Sequence, residues 1–232
     1  MSDIEKDVQI EVDGLKYEIE TAYKNVDDFG KRHFNGTREN ALVFCLKRAA
    51  DTAKGCEILA GARLSVPLYI LTRSLFESLI WVYWIAMSDD NAQAFVNATA
   101  NELNRLARKN LATGHAKVVD RITQEDKTQK LLESSWAKDI SPRRKIENMA
   151  KEAGLGRIYT QLYGFLSMQA HGSTFGFESE TSVEEDLLVV TASANVLMEC
   201  INLVVKKWIV QRKRSSKKEI YTVLGINRQE AA

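Results

Sequence analysis

Arg73 and Glu77 stand one helical turn apart inside the most hydrophobic stretch of the chain, Leu64 to Met87 (LSVPLYILTRSLFESLIWVYWIAM). His171 stands in a second apolar stretch, YGFLSMQAHGS. These residue types do two kinds of chemistry. An arginine fork holds a phosphate or carboxylate through paired hydrogen bonds, and a histidine passes protons near neutral pH. Charges in segments that favour burial are costly unless something satisfies them, so Arg73, Glu77 and His171 are the candidate catalytic residues.

In helical projection Arg73 and Glu77 lie within about 40° of each other, flanked by Ile70, Ile80, Trp81 and Trp84. Leu68, Leu71, Leu75 and Leu79 occupy the opposite side, which predicts a helix apolar all round, running through the middle of the fold with its ion pair buried. Glu77→Ala would then cost roughly 3–5 kcal/mol by stranding a buried arginine. Three roles stay open for the pair: a structural bridge that fixes helix register, the lining of an anion pocket, or a place at a dimer interface. A second pattern precedes His171. Tyr159, Tyr163, Ser167 and His171 recur every four residues, giving one helix face a line of hydrogen-bonding tips. Tyr163, Ser167 and Ser173 are the candidate substrate-binding residues. His171 itself reads either as a group favoured by the helix dipole at a C-terminus or, if it meets Arg73 or Glu77, as a titratable group in a cleft.

The elements that must position these residues are helical. Two prolines and twelve glycines punctuate the chain, and no alternating strand pattern persists. Residues 3–30 read as a rather polar first helix with Gly14 a weak point. After a loop around His33–Gly36, Thr37 caps a second helix to about Gly61. Ser65 and Pro67 open the core helix, because proline fits a first turn whose amide has no partner. Ser88-Asp89-Asp90 stops it and opens a fourth helix through Asn110, ended by Gly114. The stretch 115–140 reads as a shorter helix with an irregular approach. Ser141-Pro142 caps a helix ending at Gly154, residues 155–171 form another, and Ser182-x-x-Glu185 is a capping box opening a long helix 183–213. The expected architecture is all-α, a single bundle of six to eight helices over 1–232, with an N-terminal helix and loop (1–36), a core bundle (37–213) and a tail (214–232).

Apolar residues are 45% and charged residues 27% of the 232, an ordinary globular balance, and the net charge of +1 implies neither nucleic acid nor membrane as a global partner. The acidic start MSDIEKDV has no apolar signal region. Cys45, Cys56 and Cys200 match neither a disulfide framework nor a metal site and read as buried reduced thiols in a cytoplasmic protein. No metal or other cofactor is expected, since no two histidines stand at ligand spacing. Leu64–Met87 is interrupted by Arg73 and Glu77. In Leu187–Val205, Thr191, Asn195, Glu199 and Asn202 share a face with Lys206, the mark of an amphipathic helix in a soluble bundle rather than a membrane span. Trp81 and Trp84 suggest an apolar surface that a homodimer would bury. Lys206 to Lys218 (KKWIVQRKRSSKK) packs basic residues around Trp208. That end is either a solvated helix terminus or, through Lys206, Lys207, Arg212, Lys213 and Arg214, a patch that tracks RNA phosphates. Arg143-Arg144-Lys145 is a second basic cluster.

Over roughly residues 40–210, RSLFESLIWVYWI followed by YGFLSMQAHGS resembles an uncharacterised bacterial family of helical proteins. That family shows an Arg-x-x-x-Glu core helix and a late Ser-x-x-x-His-Gly-Ser. The matching positions are Arg73, Glu77, Ser167, His171 and Ser173. Such proteins look similar in turn to the HEPN group, helical domains that include metal-independent RNA-cutting toxins and phage-defence effectors. The resemblance implies a HEPN-like fold and an effector that binds or cuts RNA. The alternative is a non-catalytic binding or regulatory module in which the polar cluster is structural. The ribonuclease pattern of that group places arginine and histidine four to six residues apart on one helix. Arg73 and His171 depart from it, while Arg108-KNLATG-His115 has the spacing.

Overall fold

The computed structural model of this protein describes residues 2–31, 36–134, 144–170, 182–211, 220, 222 and 223. The fold is all-α. Among the described residues the named helices are α1 (Asp3–Gly30), α2 (Thr37–Gly61), α3 (Ser65–Ile85), α4 (Asp89–Ala112), α5 (Thr128–Glu133), α6 (Ile146–Glu152), α7 (Gly156–Ile158), α8 (Gly164–Ala170) and α9 (Val183–Ile209), with a π-helical turn, Tyr159–Tyr163, between α7 and α8.

Side-chain caps set three of these helix starts. Ser182 and Glu185 form the expected capping box at α9, Ser2 and Glu5 form another at α1, and the Ser88 side chain accepts the Asn91 amide at the start of α4. Thr37 does not cap α2; it is the first helical residue, and the cap is Gly36, which offers no side-chain acceptor. Between α4 and α5 the irregular approach expected before a shorter helix is a turn in which Val119 and Asp126 pair across a short antiparallel bridge. The Asp120 carboxylate accepts the amides of Ile122 and Thr123 inside that turn, a local bond that competes with helix.

The core lies between α2, α3 and α9, with α1 packed on α9 and α2, α4 beside α2, and α6 and α8 against α3. Leu42, Leu46, Leu68, Leu75, Leu79, Leu197 and Ile201 are each 0% exposed at its centre. By length and composition α9 is apolar enough to cross a membrane; in the fold, 56% of its most apolar window is buried among the other helices.

The polar stripe of α9 divides: Thr191 and Asn202 are buried, Asn195 is half-buried against α1, and Glu199 and Lys206 are exposed. Asn195 donates to Glu11 Oε2 at 2.9 Å, and Asn202 donates to the Glu18 carbonyl at 2.9 Å and to Glu18 Oε2 at 2.7 Å. Each pair spans 184 residues, so the two helices run parallel and in register, one heptad between contacts. Gly14, a weak point by helix propensity, sits between those contacts. A Cβ there would stand 2.6 Å from Asn195 Nδ2, so glycine permits the close approach. At the N-terminal end of this pair Arg63, at φ 59, reaches from the α2–α3 turn to Glu5 of α1 at 3.0 Å and to Glu184 of α9.

Candidate functional site

Arg73 and Glu77 project from α3 toward the π turn, and the group they meet there is Tyr163. Thr160 donates its hydroxyl to the Gly156 carbonyl at 3.0 Å, a back-bond that loosens the helical ladder where the wider turn begins. Across that turn the rings of Tyr159 and Tyr163 stack with centroids 4.6 Å apart at 17°. Phe76 supports both from α3, at 6.5 Å from Tyr159 and 6.4 Å from Tyr163. One turn on, Phe165 meets Tyr69 edge to face at 5.9 Å, which fixes α8 to α3.

The Tyr163 hydroxyl is the hub. It accepts from Arg73 Nη2 at 2.5 Å and donates to Glu77 Oε1 at 3.2 Å. Arg73 Nε stands 3.6 Å from the same Glu77 oxygen, and its Cζ lies 4.6 Å from the centroid of the Tyr163 ring. Burial, aided by the charges of Tyr163, Glu147 and Glu77 and opposed by Arg73, pushes the Tyr159 hydroxyl above its ordinary value of 10, so it stays a donor at any physiological pH. The arrangement is a cation on an aromatic shelf beside a carboxylate, able to take an anion from the open side.

That open side corrects the expected burial. Arg73 keeps 25% and Glu77 38% of its side chain exposed. Val66 and Ile70 share the opening at 57% and 47%, while Leu68, Leu75 and Leu79 on the opposite side are sealed. Hydropathy summed around a helix does not reveal which side lacks a neighbour. The first half of α3 therefore borders the surface, and the second half, with Tyr83, Trp84 and Ile85, runs through the core.

Of the remaining expected site residues, Ser167 is half-buried one turn beyond Tyr163, and His171 and Ser173 lie outside the described residues. Arg108 and His115 do not share a helix: α4 ends at Ala112, and His115 is exposed beyond Gly114 with its Nδ1 3.0 Å from Thr113 Oγ1. In the basic C-terminal stretch Lys206 is exposed and Lys207 partly so, whereas Arg212, Lys213 and Arg214 lie outside the described residues. Trp208 is covered by Arg38, whose Cζ is 4.2 Å from the ring and which also pairs with Asp89 at 2.9 Å. Burial pushes the thiols of Cys45, Cys56 and Cys200 up to about 12 each, so they are neutral packing groups and not nucleophiles.

Sequence reasoning missed one polar arrangement further along α3. Trp84, 1% exposed, donates Nε1 to Glu152 Oε2 at 2.7 Å. Arg144, from the second basic cluster, binds Glu152 at 2.7 Å and lies 5.1 Å from the Trp84 ring. Trp81 is half-buried, edge-on to Trp84 at 5.8 Å and to Phe95 at 5.1 Å. The apolar surface expected from these two tryptophans is thus largely filled from within the chain. Only the regular spacing of α3, which carries Trp84 seven residues beyond Glu77 on the same face, hinted at the arrangement.

No curated protein and no solved structure matches this chain. Residues 39–186, which run from α2 into α9 and hold Arg73, Glu77 and Tyr163, match the Family of unknown function (DUF5677), and the chain belongs to that family.

Proposed function

We propose that this protein is a HEPN-like bacterial effector that engages RNA through the Arg73–Tyr163 shelf, in phage defence or as a toxin. One observation carries the reading. Arg73 lies against a stacked tyrosine pair and remains a quarter exposed, which suits a phosphate on the guanidinium. His171 would supply proton transfer to cleavage, with no metal required, and Lys206, Lys207, Arg212, Lys213 and Arg214 would follow the backbone. A second reading has a specific observation in its favour. Arg73 is already engaged by Tyr163 and Glu77, as expected of a structural cluster in a non-catalytic binding or regulatory module.

The test is anisotropy of labelled single-stranded RNA with the full chain, followed by incubation of total RNA with excess chelator. Arg73→Ala is expected to weaken binding at least about tenfold, the scale of a charge-assisted hydrogen bond. Cleavage is expected to survive chelation and to fall about a hundredfold in His171→Ala, as for loss of a proton-transfer group. Absence of binding at tens of micromolar, or equal binding by Arg73→Ala, rejects the RNA reading. Binding without cleavage rejects catalysis alone.

A further inference from the structure

The groups around Arg73 fix how much charge its shelf offers a ligand. Glu77 Oε1 stands 3.6 Å from Arg73 Nε and accepts the Tyr163 hydroxyl at 3.2 Å. One guanidinium and one carboxylate that close nearly cancel for an ion approaching from the open side. Glu147 of α6 is a second carboxylate whose charge reaches Tyr159, but Lys151 holds it at 2.6 Å, which leaves Glu77 to set the balance. The two ties on Arg73 differ in kind. Its Nη2 donates to the Tyr163 hydroxyl at 2.5 Å and its Cζ rests 4.6 Å from that ring, so the guanidinium keeps its place when a ligand arrives. The contact with Glu77 is long and open, and it runs from arginine to glutamate along the helix, the less favourable order for a pair four residues apart. Glu77 can therefore yield its side of the fork to an incoming anion while staying within range to repel it. On the other flank of Arg73 the same helix face carries Ile70 and Val66, 47% and 57% exposed, an apolar surface for the uncharged sugar beside a phosphodiester.

Taking the Arg73–Tyr163 shelf as an RNA site, as proposed above, we infer that Glu77 is its specificity-determining residue. It fits the shelf to a singly charged phosphodiester inside an RNA chain, and it denies a doubly charged terminal phosphate the advantage that a lone arginine would give. Against the balanced Arg73–Glu77 pair, a second charge on the ligand loses to the carboxylate about what it gains from the guanidinium. That second charge still has to shed its water, so the diester is the better ligand.

The test is anisotropy of two short labelled single-stranded RNAs of one sequence with the full chain. One RNA ends in hydroxyls and the other carries a 5′ phosphate, read above about pH 7, where that phosphate bears close to two charges. Wild type is expected to bind the two within about twofold of each other, because the paired charges cancel. Glu77→Gln is expected to tighten the hydroxyl-ended RNA about fivefold, the scale of one unit-charge repulsion at contact distance in water, and the phosphate-ended RNA further still. Glu77→Ala gives the same test should Glu77→Gln fold poorly. Glu147→Gln is expected to leave both affinities near wild type. A wild type that prefers the phosphate end overturns the assignment and leaves the RNA reading standing. So does a Glu77→Gln variant that gains nothing or gains equally on both RNAs, and so does an equal gain in Glu147→Gln. Binding that is absent in wild type, or unchanged in Arg73→Ala, removes the RNA reading itself and this inference with it.

Discussion

Two of the polar sets that cross this bundle between helices have opposite fates. Along α1 and α9 the amide nitrogens of Asn195 and Asn202 donate to Glu11 and Glu18 respectively; Asn202 is only 5% exposed, and among the described residues its Oδ1 has no partner. Between α3 and the π turn, Arg73, Tyr163 and Glu77 share their bonds among three groups, and Glu77 is 38% exposed. A buried amide donor pays its desolvation in full unless its acceptor is present, so the first set fixes how two helices register. A shared, open cluster exchanges with water cheaply, so the second set contributes little to stability and is free to accept an outside ligand.

The largest effect that separates them is expected at Asn202. Asn202→Ala leaves the Glu18 backbone and side chain without their donor and should cost about 1–3 kcal/mol in a urea melt. For a chain of this length each kcal/mol corresponds to roughly 2–4 °C in Tm. A loss below about 0.5 kcal/mol would remove the distinction between the two sets. Glu77→Ala comes next and is expected to cost no more than about 1 kcal/mol, far less than full burial of the pair would demand. A loss of about 3 kcal/mol or more would mean that the cluster is as structural as the α1–α9 contacts and would favour the module reading.

The smallest effect concerns Glu199 on α9, whose carboxyl is pushed above its ordinary 4.5 by partial loss of solvation and by the nearby Glu18. The folded state then holds this proton more tightly than the unfolded state. Stability falls as pH rises through the carboxylate range and recovers below it. Glu199→Gln is therefore expected to raise Tm slightly at pH 7, with the gain vanishing once the wild-type carboxyl is protonated in acid. A gain that grows as the pH falls would contradict the assignment.

Much of the architecture was legible in local signals: the Ser182–Glu185 box, the Ser88 cap, proline in the first turn of α3, and the four-residue stripe that singled out Tyr163. What was not legible depends on neighbours. Pattern alone places Thr191, Asn195 and Asn202 on one face, but only the arrival of Glu11 and Glu18 makes that face an inward one. Likewise Arg73 sits in a segment apolar on every side, and its opening exists because α8 and the π turn cover one flank and leave Val66 and Ile70 bare. The π turn carries no sequence mark beyond a threonine able to bond its own backbone.

The parallel α1–α9 pairing also sets a timetable for folding. Its partners are 184 residues apart, a separation unusual for a helical protein, whose contacts are mostly local and close quickly. During synthesis at about 5–20 residues per second, the face of α1 around Gly14 waits on the order of ten to forty seconds before its α9 partners are made. In that interval α1 can rest against α2 but has no register, and Arg63 has Glu5 to hold but not yet Glu184. The final docking of α9 is then the step that closes the bundle, and until it happens the nascent chain offers an apolar helix face to whatever chaperone or neighbouring chain is near.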